Sequence, residues 1–307
     1  DSAELAFGMR LSVDKFNDRA KTLAEGIMQD SGCADGDTKK ILGEILEADQ
    51  STQEGIEQQR DRVAALNKAL ERCGCDSCRE LITLSDYLVK KSVWAFGGDG
   101  WAYDIGYGGV DHVLASGKNV NVLVLDTEVY SNTGGQASKA TPMGAVARFA
   151  ASGKPVGKKD LGMMAMTYGY VYVAKVAVGA NPNQVVKAFA EAEAYDGPSL
   201  VICYAHCINH GFNMTKGLEH QKMAVESGHW PLYRYNPALA REGKNPLQID
   251  SKDPTLPLSD YVLSENRYKI LQRSKPEVSK ALLDSAEQTV KARIQMLKQM
   301  AGKAGAE

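Results

Sequence analysis

The chain has 307 residues, 44% of them apolar and 24% charged, with a net charge of −2. That balance is ordinary for a globular protein and shows no basic stripe, which argues against nucleic acid as a partner. No apolar run approaches twenty residues, so no helical membrane span is expected.

The length holds one large core or two smaller ones. The start, DSAELAFGM, lacks Met and a signal-peptide pattern and reads as the interior of a longer protein. Six cysteines are present, at 33, 73, 75, 78, 203 and 207. Their spacing is not that of a secreted disulfide scaffold, which favours a reducing, cytoplasmic setting.

Residues 1–90 are expected to be helical. Met9, Val13, Phe16, Ala20, Leu23 and Ile27 recur at helical spacing and predict one apolar stripe. A turn at 30–37 follows. Asp37 is the expected cap of a second helix carrying Ile41, Leu42, Ile45 and Leu46. A third helix is expected over Thr52–Arg72, with Ile56, Val63, Leu66 and Leu70 inward. Cys73, Cys75 and Cys78 close it. The plain reading is solvent-side thiols in a variable loop. A disulfide and a metal site remain open alternatives, because thiolates bind zinc and iron–sulfur clusters. A metal site needs a fourth ligand such as Cys33, and nothing local offers one.

Val93–Phe96 is a short apolar run that stops at glycines, as a buried parallel strand does. Gly97, Gly98 and Gly100 let the backbone turn sharply and approach a ligand. Asp99 stands between them, a carboxylate at a strand's C-terminal end. A helix over Asp104–Ser116 and a second strand, Val120–Leu125, complete a strand–helix–strand unit. Asp126, Thr127 and Glu128 end that strand, and Tyr130–Gln136 is a polar loop. The basic stretch Ser152–Lys159 reads as a solvated surface loop, with some character of a docking surface for an acidic electron carrier. A helix at Asp160–Tyr168, a strand at Val171–Val178, a helix at Asn183–Tyr195 and a buried strand at Ser199–Tyr204 follow. Alternation of this kind predicts a doubly wound, mostly parallel sheet with right-handed crossovers.

After the last strand comes Ala205–Gly211, with Cys207, then a helix over 216–227. His112, His220 and His229 read as structural or exposed. From Trp230 the prolines at 231, 237, 246, 254 and 257 predict an extended, wrapping tail, with a turn or two of helix at Arg267–Leu271. A proline-started, capped helix Pro276–Met300 closes the chain, and its end, GKAGAE, is expected to fray. The organisation expected is a helical segment at 1–90, an α/β core at 91–230 and a tail at 231–307.

One spacing carries chemistry. Gly98-Asp99-Gly100 is followed by twenty-five residues and then Asp126-Thr127. The physical logic is one Mg²⁺ held between two strand ends and a diphosphate, since Mg²⁺ takes a few protein oxygens in near-octahedral geometry. Asp99, the Thr127 hydroxyl and the Val129 carbonyl are the candidate ligands. The spacing is similar to that of thiamine diphosphate enzymes, where a GDG precedes a pair of asparagines.

The words GGDGWAYDIGYGGVDHVLASG, LDTEVYSNTGGQASKATP and YAHCINHG together resemble pyruvate:ferredoxin (flavodoxin) oxidoreductase. The resemblance is to its C-terminal thiamine-diphosphate domain, dense over residues 86–230. Asp126-Thr127 in place of two asparagines is a departure from the general pattern that this family shares. The resemblance implies that pyruvate, coenzyme A and an oxidised carrier give acetyl-CoA, CO₂ and reduced ferredoxin or flavodoxin. It implies that Gly98, Asp99, Gly100, Trp101, Thr127, Glu128, Val129, Tyr130, Ser131 and Asn132 hold the cofactor, with Asn132 reaching toward the reacting centre. It also implies that Cys207 is one ligand of a [4Fe–4S] cluster and that Cys203 is not. The other cluster cysteines would lie upstream of Asp1, and the acid that activates the aminopyrimidine on another domain. The parent's remaining domains and a second copy of the chain are the further partners expected. A related enzyme for another 2-oxoacid, a flavodoxin reducer linked to nitrogenase, and a non-catalytic scaffold are the other readings. A scaffold should have lost Asp99 or Thr127, and both are kept.

Overall fold

The computed structural model describes residues 2–30 and 32–302. Ser31, in the expected turn, and the terminal residues 303–307, in the segment expected to fray, lie outside them. The chain divides into two compact units, Phe7–Val93 and residues 1–6 with Trp94–Glu307.

The first unit is helical. Helix α1 (Ala3–Gln29) enters it, and α2 (Gly36–Leu46), α3 (Gln53–Leu70) and α4 (Asp76–Leu84) complete it. Its core joins Leu23, Ala24 and Ile27 to Leu42, Ile45, Val63, Leu66, Leu70 and Leu81. The expected stripe on α1 is corrected in its first half. Met9 and Phe16 are 57% and 42% exposed. Polar side chains turn inward there as well: Arg10 donates to the Lys91 carbonyl at 3.0 Å and Asn17 to the Tyr87 carbonyl at 2.6 Å. The cap of α2 is Asp35 rather than Asp37, because its carboxylate accepts from the Thr38 amide at 2.8 Å. Thr52 caps α3 in the same manner. Helix α4 was not among the expected elements.

The second unit is built on six strands: β1 (Trp94–Gly97), β2 (Asn121–Asp126), β3 (Tyr172–Val176), β4 (Ser199–Tyr204), β5 (Tyr233–Tyr235) and β6 (Leu247–Ile249). Their order is β1-β2-β4-β3-β5-β6. The first four are mutually parallel and the last two antiparallel. One face carries Leu123, Tyr172, Ala174, Val176 and Val201 against Ala188 and Ala192 of α8 (Pro182–Ala194). On the other face, Gly162 of α7 (Leu161–Met166) packs on the sheet: an added Cβ would touch Ile202 at 3.5 Å and clash with the Tyr233 hydroxyl at 1.9 Å. Helices therefore cover both faces, as the alternating pattern predicted.

Two expectations change here. The helix expected over Asp104–Ser116 forms as α6 (Tyr107–Ala115), and a short helix that was not expected, α5 (Asp99–Tyr103), precedes it. Asp104 sits between the two and accepts from the Ser138 hydroxyl and the Lys139 amide instead. The tail does not merely wrap. Its prolines at 231, 237 and 246 fall outside β5 and β6, which extend the sheet from the edge of β3. Beyond them α11 (Leu258–Val262), α12 (Asn266–Ser274) and α13 (Pro276–Met300) follow, after the short α9 (Gly217–Glu226) and α10 (Ala238–Arg241).

Candidate functional site

Strands β1 and β2 are parallel neighbours, with Gly97 opposite Val124. Their C-terminal ends therefore emerge side by side, and Asp99 meets the Asp126–Val129 turn there. Asp99 Oδ2 accepts from the Thr127 hydroxyl, in a very short contact, and from the Thr127 amide at 3.3 Å. Asp99 Oδ1 accepts from the Glu128 amide at 3.1 Å. The Thr127 hydroxyl also stands 3.0 Å from the Val129 carbonyl. The three oxygens expected to bind Mg²⁺ thus converge, and one hydroxyl proton serves two acceptors.

Beside this point opens a cleft of about 300 Å³. Gly98–Trp101 line one wall and Val129–Thr133 the other. Of the ten residues expected to hold a cofactor, eight line it; Thr127 and Glu128 do not. Gly97 and Gly100 also leave room for the protein's own rings. An added Cβ would meet the Trp101 ring at 2.0 Å and the Tyr130 ring at 2.5 Å, respectively. The Trp101 indole N–H is buried without a partner. A buried donor without a partner costs stability, so one at a cleft wall suits an acceptor-rich ligand.

The electrostatics favour a cation. Asp99, Asp126, Glu128 and Glu265 are all buried. Lys158 pairs with Asp126 at 2.7 Å, and Arg267 bridges Glu128 at 2.6 Å and Glu265 at 2.5 Å. Among the described residues no basic side chain is in salt-bridge contact with Asp99. Burial and the neighbouring Asp126 push the Asp99 carboxyl up to about 8, against Lys158 and the Thr127 hydrogen bond. A buried, oxygen-only donor set is the chemistry of a hard divalent ion, and the residues fit Mg²⁺ with a diphosphate in the cleft.

Glu128 turns away from the cleft. Its backbone has φ 59°, a strained conformation for a residue with a side chain. Its carboxylate accepts from His229 at 2.8 Å and from Arg267. Burial opposes ionisation, but His229 and Arg267 hold the carboxyl well below the usual range. This anchoring fixes the turn that presents Thr127 and Val129. His210 supports the same turn through Nε2, 2.7 Å from the Thr127 carbonyl. That partner is an acceptor, so Nε2 carries the proton; burial lowers the imidazole to about 4 and keeps it neutral.

Lys158, Arg267 and His210 were not among the expected site residues. The loop Ser152–Lys159 is corrected from a solvated surface. Lys154 is buried and donates to the Ser138 and Thr141 carbonyls at 2.6 and 2.7 Å, and Lys158 reaches Asp126. The carboxylates at the strand ends need cations, and that need was the available signal. His220 and His229 are buried and structural, bonded to Glu265 and Glu128.

Asn132 is exposed at the cleft wall. Cys203 lies within β4, where burial pushes its thiol up to about 12. Cys207 lies beyond β4, buried, with Asn209 donating to its sulfur at 3.5 Å. The Cys207 loop borders the cleft loop: a Cβ on Gly135 would stand 2.8 Å from the Asn209 side chain.

In the helical unit the thiols do not project into solvent from a loop. Cys33 arrives from the α1–α2 turn, and the sulfurs of Cys33, Cys73, Cys75 and Cys78 lie within 4.8 Å of one another.

Residues 83–203 match the family model described as thiamine pyrophosphate enzyme, C-terminal TPP binding domain. The chain is 55% identical to a pyruvate-flavodoxin oxidoreductase from Nostoc sp., over 99% of this chain and 25% of that protein. It is 53% identical to one from Trichormus variabilis, again over 99% of this chain and 25% of that protein. It is 52% identical to a pyruvate:ferredoxin oxidoreductase from Moorella thermoacetica, over 98% of this chain and 26% of that protein. The chain thus spans about a quarter of the length of these curated relatives. Among the described residues no helix is long and apolar enough to cross a membrane.

Proposed function

Because the chain carries a thiamine pyrophosphate enzyme C-terminal domain and resembles one quarter of these oxidoreductases along nearly its whole length, we propose that it is their diphosphate- and Mg²⁺-holding section. The enzyme would convert pyruvate and coenzyme A to acetyl-CoA and CO₂, and pass electrons through iron–sulfur clusters to flavodoxin or ferredoxin. The observation that carries this reading is the convergence of the Asp99, Thr127 and Val129 oxygens at the edge of the cleft.

Bound thiamine diphosphate supplies the electron sink that decarboxylation of a 2-oxoacid requires. The work of this chain is narrower. Asp99, Thr127 and the Val129 carbonyl would hold the metal. Gly98–Trp101 and Tyr130–Asn132 would enclose the diphosphate, which would offer the Trp101 N–H an acceptor. Glu128, Arg267, His229 and His210 keep the turn rigid, and Lys158 balances Asp126. Asn132 would contact the cofactor from the cleft wall. Cys207 would supply one thiolate to a [4Fe–4S] cluster whose other ligands would come from other parts of the parent enzyme, and Cys203 would take no part. The retained Asp99–Thr127 pairing speaks against a non-catalytic scaffold.

The test uses the full-length enzyme. In Asp99→Asn, calorimetry should show thiamine diphosphate with Mg²⁺ binding about 10–100-fold more weakly, the loss of one charge-assisted contact, with the circular dichroism unchanged. Unaltered affinity would refute the assignment. Cys207→Ser should lower iron content and the cluster's paramagnetic signal while leaving cofactor affinity in place. Loss of the cluster in Cys203→Ala instead would overturn that part.

A further inference from the structure

The thiol cluster of the helical unit plays no part in the cofactor site. We propose that Cys33, Cys73, Cys75 and Cys78 bind one structural zinc ion.

Geometry is the first argument. The four sulfurs are mutually within 4.8 Å, and Cys33 stands 3.5 Å from Cys78 and 3.9 Å from Cys73. Four thiolates around one tetrahedral zinc, with Zn–S about 2.3 Å, lie ~3.8 Å apart. A [4Fe–4S] cluster would need a wider frame, since each thiolate then holds a different iron at a corner of a cube. A disulfide would bring two sulfurs to about 2.0 Å and leave the other two unpaired. Here Cys33 is shared between two partners rather than committed to one.

The backbone is arranged for thiolates. Cys75 and Cys78 are separated by two residues, and Cys75 is the N-cap of α4. The Cys78 amide donates to the Cys75 sulfur at 3.3 Å, which stabilises negative charge there. Zinc binding displaces the thiol protons, including the one Cys73 directs at the Cys33 carbonyl, 2.7 Å away.

Burial indicates a structural ion. Cys33 and Cys78 are buried and Cys73 and Cys75 half-buried. Four sulfurs close the tetrahedron and leave no open position for a substrate. The ligands join the α1–α2 turn to the α3–α4 connection, forty residues apart at Cys33 and Cys73. Such a clip adds most to a small unit with a modest core.

The experiment measures zinc and iron by mass spectrometry in the untagged full chain, purified anaerobically without chelators. One zinc per chain is expected, retained in Cys207→Ser and reduced at least tenfold in Cys75→Ser. Cys75 is half-buried, so that variant should fold; Cys33→Ser is the second, independent ligand variant. Cobalt loading should give the visible spectrum of tetrahedral thiolate-bound cobalt, absent in Cys75→Ser. Less than a tenth of an equivalent of zinc in the wild-type chain would overturn the proposal. So would zinc unchanged in both ligand variants, iron in place of zinc at these cysteines, or a disulfide from Cys33 to Cys73 or Cys78.

Discussion

Among the described residues of the helical unit, Arg10, Thr38, Gln59 and Ser85 are the buried polar side chains apart from the thiols, and apolar residues dominate the core. In the α/β unit the interior holds Asp99, Asp126, Glu128, Lys175, Glu265 and Arg267. The first unit answers its own chemistry with soft sulfur, which calls for a soft ion. The second uses hard oxygen and fixed charge, which calls for a hard ion. The lesson concerns sensitivity. A sulfur site depends on redox state and chelators, whereas a charge network depends on pH and on every partner being present.

The sharpest way to break that contrast is to remove one partner of the network. Arg267→Met leaves Glu128 and Glu265 buried without their guanidinium, a loss on the order of 3–5 kcal/mol. The chain's three tryptophans, at 94, 101 and 230, all lie in the α/β unit. Their fluorescence during urea unfolding therefore reports that unit, and its midpoint should fall steeply. Metal content at the four cysteines should not change. An unchanged midpoint would mean that Arg267 does not neutralise the buried acids.

A smaller effect should appear as pH dependence. Lys175 is buried on β3, with its ammonium 4.0 Å from the Trp230 ring centre. Burial, helped by Arg293, lowers its amine to about 7 from the usual 10.5. The unfolded chain then binds more protons than the folded one between those values. Stability should accordingly be greatest above 10.5 and fall as pH drops toward 7, by up to about 1.4 kcal/mol per pH unit. Lys175→Met removes the ammonium and keeps the stem, so this dependence should vanish from the tryptophan-detected midpoint. A slope that persists in the variant would assign it to another group.

What the sequence revealed follows the same division. The convergence of Asp99, Thr127 and Val129 was legible because they follow two strands that pair in register, so a linear spacing maps directly onto a distance. The four parallel strands were legible as apolar runs. The counter-charges were not, because Lys158 and Arg267 reach the site from a glycine-containing loop and from the tail. Nothing local separates such residues from solvated ones. The partnership of Cys33 with Cys73, Cys75 and Cys78 was left open for a similar reason. Two helices lie between them, and only their packing brings the turn to the thiols. The strands β5 and β6 were hidden because three residues are too few to show a period, and prolines stand beside them.

The smallest expected effect sharpens the account of the hard site. Thr127 has two roles that a single deletion would confound: its hydroxyl bonds Asp99 and the Val129 carbonyl, and its amide bonds Asp99. Thr127→Val keeps the branched shape and the amide, and removes only the oxygen. In the cofactor-free protein this costs one hydrogen bond, about 1 kcal/mol. In the full-length enzyme at saturating thiamine diphosphate, Mg²⁺ should bind about tenfold more weakly, since about 1.4 kcal/mol corresponds to that factor. Trp101 lines the cleft, so its fluorescence follows the titration. Thr127→Ser restores a hydroxyl without the methyl and should recover most of the affinity. If Thr127→Val binds Mg²⁺ as the wild type does while Thr127→Ser weakens it, the methyl and its packing matter rather than the oxygen. The metal would then rest on Asp99 and the Val129 carbonyl alone.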